Sequence, residues 1–164
     1  FITMNQSFQD SKHKFIALYY GGFSIFAICI LIYLIDFNNI NLFSKLIYGL
    51  MLTQLIITLY AAYQYWQLNI TGLKVLKWIS FSLIFLLSTP LFLYIPNIAI
   101  IFGFFVEWTD TSFFSTLKLH AGYNTTITLN GDSPWGFGLN FIEIFMFYRF
   151  RKILNNTQIP LKEK

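Results

Sequence analysis

The sequence predicts an all-α membrane protein: a four-helix transmembrane bundle with both termini on the inner side and one small outer loop. Three observations predict it. Hydrophobic residues fill 56% of the 164 positions and charged residues only 11%, where a soluble domain carries about 25% charged residues. The charges cluster in short segments, leaving uncharged runs long enough for a bilayer. The basic residues also divide unequally between the two sides those runs define.

The first span is Phe15 to Ile35, uncharged throughout, preceded by Lys12-His13-Lys14 and closed by Asp36. At 1.5 Å per residue it covers a hydrocarbon core of about 30 Å. A signal peptide would show a shorter apolar centre and an A-x-A-like cleavage site, and the segment has neither. Its one cysteine, Cys29, reads as a small hydrophobe, and a single thiol excludes an internal disulfide or a Cys-rich metal cluster.

After the polar turn Asp36-Phe37-Asn38-Asn39, the second span runs from about Leu46 to Trp66. Gln54, Thr58 and Ala61 fall on one helical face and predict a stripe turned toward other helices, as packing glue rather than a substrate path. The third span, 78–104, is apolar but holds Pro90 and Pro96, each of which removes a helical hydrogen bond. A kink near the first and a break near the second follow. The fourth span, 135–154, contains Asn140 and Glu143 and reaches bilayer thickness only if Arg149, Arg151 and Lys152 snorkel to the interface.

Charge supports the fourth span better than hydrophobicity does. With four spans, Lys12, Lys14, Lys74, Lys77, Arg149, Arg151, Lys152, Lys162 and Lys164 share one side, and only Lys45 and Lys118 lie on the other. That bias places both termini on the cytosolic or matrix side of a bacterial cytoplasmic or mitochondrial inner membrane. Asp36, Glu107, Asp110 and Asp132 fall on the outer side. The net charge of +4 then reflects attraction to anionic lipid, with no nucleic-acid signature. Abundant Phe, Tyr, Ile and Asn bear the imprint of an AT-rich genome.

The outer loop, 107–134, alternates polar and apolar residues over Ser115–His120 and again over Thr125–Leu129, with a turn sequence between them. This predicts a small β-hairpin, which in water is marginal alone and should lean on the membrane surface or a partner.

Few residues carry candidate chemistry. Glu143 is a carboxylate inside a membrane segment, with Asn140 one turn before it. It reads first as a polar clasp to another helix or subunit, and alternatively as a proton, cation or substrate site. Glu107 and Asp110 are weak acid/base or cation candidates, and with His120 and Asp132 a weak metal set; solvated charge or capping explains them more simply. His13 and His120 fall on opposite sides and exclude a haem held by both. Catalytic signatures and internal repeats are absent, and no cofactor is implied.

The expected function is therefore a small non-catalytic accessory or structural subunit of a larger membrane complex, its partners the lipid bilayer and other membrane subunits. The alternative is a small membrane enzyme or transporter using Glu143 or the outer acidic cluster.

Overall fold

The structure, a computed structural model, describes residues 12–34, 42–121, 126–129 and 133–158. It corrects the expected fold class: the chain is mixed α/β, with four helices and a six-stranded antiparallel sheet among the described residues. The helices are α1 (Lys12–Leu34), α2 (Leu42–Trp66), α3 (Ile70–Ile84) and α4 (Phe141–Gln158). Between α3 and α4 lie β1 (Phe85–Ser88), β2 (Phe92–Ile95), β3 (Ile100–Trp108), β4 (Phe113–Ala121), β5 (Thr126–Leu129) and β6 (Trp135–Asn140). Two helices are long and apolar enough to cross a membrane, α1 over His13–Tyr33 and α2 over Ser44–Trp66.

α2 closes with Leu68 in the left-handed region at φ 62°. The main-chain nitrogens of Leu68 and Asn69 donate back to the carbonyls of Tyr65 and Gln64, satisfying two end groups of the helix. Asn69 then opens α3, its side chain accepting from the Thr71 nitrogen at 2.9 Å. The two helices approach so closely that a Cβ on Gly72 would lie 2.5 Å from the Tyr65 nitrogen and 2.6 Å from the Ala61 oxygen.

The expected third span is overturned after Ile84. Phe85 has extended backbone angles, and from there the burial alternates residue by residue, as in a strand. The run was ambiguous because both alternating faces are apolar, so no polar period marked it as a strand. Aromatic and branched residues favour the pleated form. Pro90 sits between β1 and β2, and Pro96 between β2 and β3, where no ladder hydrogen bond is lost. The expected fourth span begins as β6 over its first six residues and is helical only from Phe141.

The sheet order is β4-β3-β6-β1-β2-β5, every pair antiparallel. The expected outer hairpin is also corrected. β4 pairs along its whole length with β3, β5 pairs with β2, and the two strands stand at opposite edges. Their ends, Ala121 and Thr126, are separated by four residues, which reach at most about 19 Å. A flat six-stranded sheet would hold its edges about 24 Å apart, so this sheet is curled. Gly136 and Gly138 permit the curl around Phe105, since a Cβ on Gly138 would meet that ring at 2.5 Å.

The core lies among the helices: Ile16, Tyr20, Leu55, Tyr65, Leu73, Leu76, Leu83 and Phe150 are all buried in one cluster, which Ile98 joins from the β2–β3 connection.

Candidate functional site

Burying a carboxyl group is costly unless donors meet it, and Glu143 is 3% exposed. Its position is set by Asn140, the last residue of β6, whose Oδ1 accepts from the Ile142 nitrogen at 3.2 Å and so caps α4. The same oxygen accepts from the Phe102 nitrogen, and Nδ2 donates to the Ile100 carbonyl, each at 3.4 Å. The cap thereby ties α4 to β3.

From that start, Glu143 points into the helix core. Tyr20 of α1 donates its hydroxyl to Oε2 at 2.6 Å, and Ser80 of α3 donates to the same oxygen at 2.6 Å. The two hydroxyl oxygens lie 2.5 Å apart, and both residues are fully buried. Three helices that share no sequence neighbourhood are joined at one carboxyl oxygen. Among the described residues no basic side chain pairs with Glu143. Glu143, Tyr20 and Ser80 are all buried, and their hydrogen bonds cross-link α1, α3 and α4.

Below this centre the rings of Tyr20, Tyr65 and Phe150 stack at centroid distances near 6 Å, and His13 meets Tyr65 edge-on at 6.2 Å. These contacts, with Gly72 against Tyr65, put the start of α1, the end of α2, the start of α3 and the second half of α4 at one level. Lys14, Lys74 and Arg149 each stand six residues from the clasp on that same side, about 9 Å along their helices. Lys14 lies over the Trp66 ring at 5.7 Å and Lys77 over Trp78 at 4.8 Å. The helix group thus has one basic end.

The other sequence candidates fall elsewhere. Thr58 is buried but bonds only its own helix, donating to the Gln54 carbonyl at 2.7 Å. Gln54 lines an open groove of about 500 Å³ between α2 and α3, together with Leu50, Thr53, Trp78 and Tyr94. Glu107 is paired in register with Phe114, and His120 with Ile101, which separates them by about 20 Å along the ladder. Asp110 lies in the β3–β4 turn, and Asp132 is outside the described residues. No three His, Cys, Asp or Glu side chains converge among the described residues.

Lys118 of β4 sits with its Nζ 4.0 Å from the centroid of the Phe105 ring. Partial burial pushes its ammonium below the usual lysine range, with the Glu107 carboxylate acting in the opposite sense.

Sequence reasoning singled out Glu143 and Asn140 but missed Tyr20 and Ser80. The one available signal was that a carboxyl placed among apolar helices must find hydroxyl or amide donors on them. No protein-family model matches the chain, and no curated protein or solved structure shows significant similarity to it.

Proposed function

We propose that the chain is a membrane-embedded structural subunit that acts by assembly rather than by catalysis. One observation carries the reading: the large apolar side chains that would form a core in a soluble protein stand outside. Phe15, Leu18, Ile25 and Ile32 of α1, Leu46, Leu50, Ile57 and Tyr60 of α2, and Phe141 and Phe145 of α4 are all exposed. A water-facing surface of this kind marks a lipid or protein contact. In this reading α1 and α2 cross the bilayer as a hairpin, with α3 and α4 packed beside them.

The basic end supplies the orientation. Lys14, Lys74, Lys77, Arg149, Arg151 and Lys152 face the cytosolic or matrix side, which puts the start of α1 and the end of α4 there. The Glu143 clasp supports a structural role because its hydrogen-bonding hydroxyls come from the protein's own helices.

Alkaline carbonate extraction followed by purification in mild detergent tests both halves. The expected result is retention in the membrane pellet and elution of the solubilised chain with other membrane proteins. Release into the carbonate supernatant overturns the membrane reading; elution as a lone monomer overturns the subunit reading.

A further inference from the structure

In an antiparallel sheet exposed on one side, the open face is ordinarily polar and the packed face apolar. Here the open face is the reverse. The register aligns Phe104, Leu139 and Leu117 on one side, continued by Trp108, Trp135 and Phe113 at the rim. Phe104, Phe137, Trp135, Leu117 and Leu119 are between 41% and 75% exposed. Among the described residues no charged side chain lies on this face. Glu107, Lys118 and His120 all alternate onto the other, where Ile101 and Phe105 are buried. An exposed apolar face of this kind fits a lipid or protein contact.

Two further observations name its occupant. The face has no boundary with the helix surface: ring contacts run from Trp78 to Phe81 at 5.8 Å, to Phe85 at 5.5 Å and to Phe137 at 6.4 Å, and a second path joins Phe102 to Phe141 at 5.8 Å. A surface that faces lipid on the helices therefore extends unbroken onto the sheet. Tryptophans also bound this surface. Trp66 stands at the basic end beside Lys14, while Trp108 and Trp135 face each other at the far rim, next to Glu107 and Asp110. Apolar surface bracketed by tryptophan and charge at both ends is the pattern of a bilayer-facing band.

We propose that the open face of the sheet is a lipid-contacting face in the outer half of the bilayer that α1 and α2 cross. The inference rests on the membrane reading above. The outer edges of β4 and β5 pair with no other strand among the described residues, and open edges are tolerated only where water or protein satisfies them. At the boundary of headgroups and acyl chains the edges keep water while the aromatic side chains enter the lipid.

Nitroxide accessibility on the full chain in phosphatidylcholine vesicles tests this, in a Cys29→Ser background. Labels go on Phe104→Cys and Leu117→Cys for the open face, Thr116→Cys for the opposite face, and Ile25→Cys and Ile57→Cys for the helices. The expected result is that Phe104, Leu117, Ile25 and Ile57 sites relax with dissolved oxygen and are shielded from a water-soluble nickel chelate, while Thr116 shows the reverse. If the helix sites are shielded and the sheet sites meet nickel, the membrane reading stands and this proposal fails. Protection of the sheet sites from both reagents assigns the face to a protein partner and also overturns it. Nickel access at the helix sites removes the reading on which it rests.

A second measurement leaves the open face unsubstituted. With Trp66→Phe and Trp78→Phe, the remaining tryptophans are Trp108 and Trp135, and lipids brominated near the headgroup end of the acyl chain should quench most of their emission. Unchanged emission overturns the proposal.

Discussion

The Tyr20 hydroxyl donates to Oε2 of Glu143 at 2.6 Å across 123 positions of sequence, tying the first helix to the last. Ser80 shares the same acceptor, and the two hydroxyls lie within hydrogen-bond distance of each other, so removing the carboxyl leaves one of the two buried donors without an acceptor. Leaving a buried donor unpaired costs about 1–3 kcal/mol. Glu143→Leu should therefore lower stability by about 1–3 kcal/mol, whereas Glu143→Gln keeps an oxygen for both donors and should stay within about 1 kcal/mol of the parent. Thermal melting in mild detergent separates the two. Coincident melting of the leucine variant and the parent would refute the clasp.

The helix glycines divide into two kinds. Gly72 lies against the backbone of α2, while a Cβ on Gly22 would meet nothing within 4 Å. Gly72→Ala should force α2 and α3 apart at a cost of about 1–3 kcal/mol. Gly22→Ala should gain about 0.5–1 kcal/mol through helix propensity alone. Opposite shifts in melting temperature are the expected readout, and shifts of the same sign would contradict the packing.

Ser24, one turn beyond Tyr20 on α1, is fully buried, and its hydroxyl makes no hydrogen bond among the described residues. Ser24→Ala removes an unsatisfied group and leaves little empty space. Stability should rise by about 1 kcal/mol, and a fall in melting temperature would show that the hydroxyl has a partner.

Lys118 provides a pH-dependent observable. Its folded pKa lies below the unfolded value, so the unfolded chain binds the extra proton between the two. Stability should therefore rise with pH through that alkaline interval and lose this contribution as pH falls through the folded pKa. Competitive acetylation read by peptide mass should label Lys118 at a lower pH in the folded chain than in the denatured chain. Labelling along one pH curve in both states would show that burial does not act on the amine.

Legibility from sequence follows physical range. Asn140 and Glu143 were found because a polar group in an apolar run is visible locally. Tyr20 and Ser80 were not, because their role exists only when three distant helices converge. The first two helices were legible since uninterrupted apolar length is a local property. The strands after Ile84 were not: with Leu86 and Leu87, or Phe104 and Phe105, apolar on both faces, neither a period of 2 nor of 3.6 stands out. Pairing with partners as distant as β6 decided the outcome.

Sequence by itself determined the apolar character of this chain and its two long apolar helices, because these depend on composition along the chain. Only the tertiary structure decided that the segment between α3 and α4 is a curled sheet, that its aromatic face is open, and that Glu143 closes a clasp. Those depend on which strands and hydroxyls meet, and hydrogen-bond pairing between remote segments leaves no local trace.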